Sequence, residues 1–215
     1  MVSVYEDHPG DALRINSPIP HPVPHLGTQP FPTTIAEAAP QPNGAGPGTE
    51  AFRYWVAADA LSRAGQTWAS SVPAGTQWHS TVGGALTANL AAGNDLNAFY
   101  DRRGLWFFRR TVAGLTVAAC ESPEVVEHEP GHAILDVLRP RLFNTATAET
   151  AALHEAFGDI TATSKTFSAA AASTYPRSTA PIRRSSTTPP PGSTRTRSCG
   201  AATGEGLALI RRCFD

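Results

Sequence analysis

Apolar side chains are periodic only in the middle of this chain. Thr49-Glu50 opens a stretch in which Phe52, Trp55, Val56 and Leu61 recur at helical spacing, predicting a helix to about Ser70 that Pro73 stops. Leu86, Ala88 and Leu90 then alternate with Thr87 and Asn89, the period of a half-buried strand. The runs Leu96 to Tyr100 and Leu105 to Phe108 flank the turn-forming Asp101-Arg102-Arg103-Gly104 and predict a hairpin. Leu115 to Ala119 adds another short strand. Ser122, Pro123 and Glu124 then read as N-cap, first position and acidic first turn of a helix ending by Pro140. A further helix spans about Ala148 to Thr163, with Leu153, Ala156, Phe157 and Ile160 as its apolar positions.

On either side the period disappears. Residues 1–48 are crowded with proline, including Pro18, Pro20, Pro22 and Pro24. Each proline fixes φ and removes a donor, so neither a helix nor a central strand persists there, and an extended arm is expected. Its histidines, His8, His21 and His25, have no ligand spacing and read as solvated side chains. After about Lys165 the chain turns to Ser, Thr, Ala, Pro and Arg, and only Leu207 to Ile210 restores a short apolar patch. Residues 166–215 are therefore expected to be a disordered, low-complexity tail. The organisation expected is an arm over 1–48, a folded core over 49–165 and this tail.

Charge narrows the partners. With 17 basic and 18 acidic residues the formal net charge is -1, which gives no global attraction to nucleic acid or an anionic membrane. No apolar run approaches the roughly 20 residues of a membrane span. The first residues lack the basic and apolar regions of a secretory signal, so a cytoplasmic location is the default expectation. Three cysteines, Cys120, Cys199 and Cys213, show no Cys-x-x-Cys spacing and read as unpaired thiols. Cys120, ending the apolar run from Leu115, is the simplest of them: a small buried hydrophobe.

The chemistry concentrates in His128-Glu129-Pro130-Gly131-His132. Residues four apart share a helix face, so both imidazoles can point at one ion while Glu129 reaches water beside it. Glu155 on the next helix supplies an oxygen donor, and Asp159, one turn later, can accept the other ring N–H of a ligand histidine. Glu149 competes with Glu155 as third ligand but has no acidic partner one turn on. His154 reads as an exposed residue or a polar group behind the ligands. The competing explanation is a helix whose two histidines are ordinary surface or core residues.

The run Val125 to Ala133, followed by His154-Glu155-Ala156-Phe157-Gly158-Asp159, resembles the thermolysin-like gluzincin metallopeptidases. That family shows a V-V-x-H-E-x-x-H-A helix and then an N-E-A-x-x-D helix. Leu96-Asn97-Ala98-Phe99-Tyr100 is similar to its N-A-F-[WY] strand. The resemblance covers about Leu86 to Thr163 and implies an α+β, zincin-like core. In it a small sheet with a hairpin and an edge strand packs on a motif helix and a ligand helix. It implies zinc held by His128, His132 and Glu155, with Glu129 as base and Asp159 supporting a ligand histidine. Asn97 and Ala98 would hold the backbone of a peptide or protein substrate. Oligomeric state is not legible.

Two departures stand against full activity. Pro130 removes a helical hydrogen bond to Val126, costs ~3 kcal/mol and biases Glu129 away from helical geometry. The resembled family continues into a helical domain bearing a histidine that stabilises the oxyanion, whereas no histidine follows His154 here. The abrupt composition change suggests a shifted reading frame or degenerate C-terminus after about Thr163. Three functions follow: a zinc metallopeptidase, an inactive zinc-binding relic, and an interaction module using its proline-rich arm.

Overall fold

A computed structural model describes residues 2–5, 8–10, 13–17, 31–42, 45–69 and 71–174, with the backbone alone for 13–17 and 165–174. Among the described residues the fold is mixed, with small sheets beside four α-helices and one 3-10 turn, Ala119–Glu121. An antiparallel pair joins β1 (Val2–Tyr5) to β2 (Leu13–Ser17). A four-stranded sheet contains β3 (Thr33–Ile35), β4 (Leu86–Asn89), β5 (Ala98–Tyr100) and β6 (Leu105–Phe107) in the order β3-β4-β6-β5. Its first three neighbours run parallel, and β5 closes the far edge antiparallel to β6. A two-stranded ribbon follows, β7 (Arg109–Val112) with β8 (Leu115–Ala118).

The first helix, α1 (Glu50–Ala69), matches the periodicity of its sequence and lies at the centre of the molecule. Thr49 caps it, with Oγ1 accepting from Phe52 N–H at 3.2 Å. Every residue from Phe52 to Ala58 is buried, as expected of a helix covered on most sides. The one charge in that run, Arg53, is neutralised by Glu121 and Glu50 at 3.0 Å each.

The described part of the proline-rich stretch is extended, yet it reaches the core: Val2, Val4, Phe31 and Ile35 are buried with α1. Proline decides where its third strand sits. β3 begins immediately after Pro32 and takes the sheet edge, where a missing donor is tolerated. Pro18 to Pro30, with His21 and His25, lie outside the described residues, and His8 is exposed.

The hairpin forms where expected, in the register Ala98↔Phe107 and Tyr100↔Leu105. Arg102 adopts a positive φ of 66° at its turn. The strand from Leu115 forms too, but it lies in a ribbon whose Val112, Leu115 and Val117 are exposed rather than in the core. Cys120, just beyond it, is buried, and burial pushes its thiol up to about 12. Cys199 and Cys213 lie outside the described residues.

The motif helix, α2 (Pro123–Leu138), starts at the expected N-cap Ser122 with Pro123 at its first position. The Ser122 hydroxyl makes no capping bond, unlike that of Thr49. The helix runs unbroken through Pro130, which is buried, and Pro140 begins a separate single turn, α3 (Pro140–Phe143). Packing against α1 on one side and a long fourth helix on the other holds it through the break in its hydrogen bonding.

The fourth helix, α4 (Ala148–Thr174), corrects the expectation twice. It runs past Thr163 to Thr174, into the segment expected to be disordered; residues 175–215 lie outside the described residues. Its buried face is also not the apolar one. Thr150, His154, Gly158, Thr161 and Ala162 face inward, while Leu153 and Ile160 are 46% and 52% exposed. Among the described residues no helix is long and apolar enough to cross a membrane.

Pro130→Ala restores an N–H to the Val126 carbonyl, worth ~3 kcal/mol, and loses two buried methylenes at ~0.8 kcal/mol each. A net gain of about 1 kcal/mol is expected, visible as a melting temperature higher by about 2 to 4 °C. A lower melting temperature would show that the proline ring is required by its packing.

Candidate metal centre

Two glycines set the distance between α2 and α4. A Cβ on Gly131 would lie 2.8 Å from Gly158 Cα and 2.7 Å from Thr161 Oγ1. A Cβ on Gly158 would lie 2.6 to 2.7 Å from three atoms of the His128 ring. No side chain fits at either position at this separation. Gly131 costs helix stability of ~1 kcal/mol relative to Ala, and the close approach of the two backbones is what it provides. Trp68 braces the same contact from α1. Its Nε1 donates to Thr161 Oγ1 at 3.1 Å, and its ring stacks on Phe157 at 4.7 Å between centroids.

The donors meet across that crossing. His128 Nε2 and His132 Nε2 are 3.0 Å apart, their rings nearly perpendicular at 79°. Glu155 Oε2 lies 3.4 Å from His128 Nε2. Two ligand atoms at ~2.1 Å from a tetrahedral ion are themselves ~3.4 Å apart, so both separations are on the scale of a shared centre. A Glu129 carboxylate oxygen joins the two imidazoles, all three donor atoms lying within 4.8 Å of one another. Asp159 Oδ1 is 3.1 Å from His128 Nδ1, the ring nitrogen turned away from His132. Glu149 is exposed in the first turn of α4.

Burial tunes these groups in opposite directions. Glu129 is raised from 4.5 to about 7 by burial, with the nearby Glu155 adding and His128 opposing. His132 is held low, first by burial and then by the neighbouring His128 charge. His128 is opposed by burial too, but its hydrogen bond with Glu155 and the charges of Glu129, Glu155 and Asp159 raise it overall. Glu155 is correspondingly lowered, mainly by that hydrogen bond. Two histidines, two inner carboxylates and a fifth group behind them form a set suited to a divalent transition ion, without selecting zinc by geometry alone.

The base of the site is locked by residues that carry no sequence signal. Asp136, one turn beyond His132, is fully buried. Arg102 from the hairpin turn grips it with two bonds, at 2.6 and 2.8 Å, and the Tyr100 hydroxyl donates at 3.1 Å. Arg102 also lies over the Phe143 ring at 4.3 Å and donates to the Pro140 carbonyl at 3.0 Å. A bidentate, charge-assisted pair of this kind fixes the hairpin to the end of α2. Of the two alternatives for His154, exposed residue or polar group behind the ligands, exposure is excluded: it is buried with its ring 5.6 Å from that of His132 and 6.2 Å from that of Phe143.

The strand expected to hold substrate is the free edge of its sheet, and it packs along α2. Phe108 N–H donates to the Asn97 carbonyl at 3.0 Å, so Asn97 faces β6 and the main chain of Ala98 turns to the outer edge. The Ala98 N–H is taken by Asn97 Oδ1 at 2.9 Å, leaving the Ala98 carbonyl as the outward acceptor. The Asn97 side chain thus bonds its own neighbour.

No protein-family model, curated protein or solved structure matches this chain. The arrangement of the side chains is what bears on function.

Gly158→Ala is expected to displace the His128 ring while leaving the fold intact, weakening divalent-metal binding at least tenfold in a competition titration; unchanged affinity would contradict the close packing. A second expectation concerns the metal-free protein. A carboxyl with a folded pKa above its unfolded one holds a proton the unfolded chain has released, so stability falls as pH rises between the two. For Glu129 that window is about 4.5 to 7. In urea melts with chelator, Glu129→Gln should gain about 3 kcal/mol over wild type at pH 8 and about 1 kcal/mol or less at pH 5. Parallel pH profiles would show that Glu129 is not held in this way.

Proposed function

We propose that the chain is a zinc metallopeptidase core, in which His128, His132 and Glu155 hold the ion. A bound zinc would supply a Lewis acid that acidifies water and polarises a peptide carbonyl. Glu129, buried beside both imidazoles, takes a proton from the attacking water and returns it to the departing amine. Its place within the cluster of both imidazoles puts it in reach of a water at the same centre. Asp159 accepts the Nδ1 proton of His128, which directs the lone pair of His128 Nε2 to the centre. The outward carbonyl of Ala98 offers an extended peptide a backbone acceptor along the sheet edge.

The observation that carries the reading is the convergence of His128 and His132 at 3.0 Å with Glu129 in the same cluster and Glu155 at 3.4 Å from His128. The resemblance of the two helices and the edge strand to the gluzincin pattern supports it. A second reading is an inactive zinc-binding relic, and Pro130, inside the motif helix directly after the proposed base Glu129, favours it.

Metal analysis and a peptidase assay test both readings. One zinc per chain is expected, lost in His128→Ala. Chelator-sensitive peptide hydrolysis should fall at least ~100-fold in Glu129→Gln. Zinc without hydrolysis above the Glu129→Gln level would make the chain a relic, and the absence of stoichiometric metal would defeat both readings.

A further inference from the structure

We propose that His154 is a positioning residue for His132: its Nε2 accepts the proton His132 carries on Nδ1 when His132 Nε2 serves as a metal ligand. This rests on the metal reading above and specifies how the second imidazole is held. The first imidazole has a carboxylate behind it, with Asp159 Oδ1 at 3.1 Å from His128 Nδ1. Among the described residues no carboxylate hydrogen-bonds His132 in that way. His132 turns Nε2 towards His128, so its Nδ1 points out of the centre on the other side of the ring. The ring beside it is His154, 5.6 Å away between centroids and tilted by 38°; the two do not hydrogen-bond here, and a turn of the rings on metal binding is what would bring Nδ1 and Nε2 together.

His154 has a nitrogen to offer. Its Nε2 is shielded from solvent and has no hydrogen-bond partner among the described residues. A buried nitrogen in that state needs a partner from its surroundings. Phe143, the other ring against it, has none to give. Asp136 is engaged on both oxygens by Arg102, and on one of them also by Tyr100. The same shielding excludes His154 Nε2 as a ligand open to incoming water. A neutral His154 with its proton on Nδ1 leaves Nε2 as an acceptor, complementary to a His132 that must keep its own proton on Nδ1 to donate its Nε2 lone pair. Each ring then fixes the tautomer of the other.

The test compares zinc affinity, by competition with a chromophoric chelator, in the wild-type chain, His154→Phe and His154→Gln. Phe keeps the ring and removes both nitrogens; Gln places an amide oxygen near the position of Nε2. Thermal unfolding of the metal-free proteins checks that both variants fold. The expected result is affinity 10- to 100-fold weaker in His154→Phe, the range for loss of such an outer partner, and recovery to within about threefold in His154→Gln. Equal affinity in wild type and His154→Phe overturns the proposal while leaving the metal reading intact. Equal losses in both variants overturn it as well, because the residue would then act by shape alone. Failure of the wild-type chain to bind zinc defeats the metal reading itself, and this one with it.

Discussion

The contact of Gly131 with Gly158 is the constraint on which the rest of the site depends. Two helices whose backbones approach this closely bring side chains from both within reach of one point. His128 then fills the space a side chain on Gly158 would take, and Glu155 and Asp159, flanking that glycine, reach the two nitrogens of its ring. A methyl group at Gly131 would act on the donors through the spacing of the helices, whereas one at Gly158 would displace the His128 ring directly. The weak helix propensity of Gly131 is a local cost accepted for this geometry.

Around the crossing the protein surrounds its buried charges with partners. Glu127 on α2 is buried and meets Arg63 at 2.9 Å, Asp136 is gripped by Arg102, and Arg53 is shared by two carboxylates. Removing one member of the Glu127 or Asp136 pair strands the other in a region of low dielectric, so these two pairs fix α2 to α1 and to the hairpin turn. Glu129 stands apart from this pattern. It is buried among groups that leave it balanced between its two protonation states, a condition poor for stability and useful for proton transfer.

Much of the fold was legible because periodicity and punctuation agreed. Thr49, Pro73, Pro123 and Pro140 mark the helix limits, and Asp101 to Gly104 marks the hairpin. The spacing of His128, His132, Glu155 and Asp159 also anticipated which side chains would meet. What escaped has physical reasons. Small and polar residues line the inner face of α4, so a rule that places apolar residues inside turned the helix the wrong way at Leu153 and Ile160. Its extension to Thr174 runs through alanine and serine, which are compatible with a helix but carry no period. Strands β1 and β2 pair across a proline-containing stretch of low periodicity. The Arg102–Asp136 lock joins residues 34 positions apart, and nothing in local sequence indicates such a partner. Gly131 and Gly158 offered the missed signal: glycines inside two neighbouring helical patterns mark a close approach of backbones.

The central claim is that the His128 and His132 imidazoles converge on one ion, and X-ray absorption at the zinc edge of the zinc-loaded chain tests it most directly. The account predicts multiple scattering from two imidazoles bound through nitrogen at about 2.0 to 2.1 Å, with carboxylate or water oxygen completing a four-coordinate shell. A shell of oxygen alone, or scattering from a single imidazole, would contradict it.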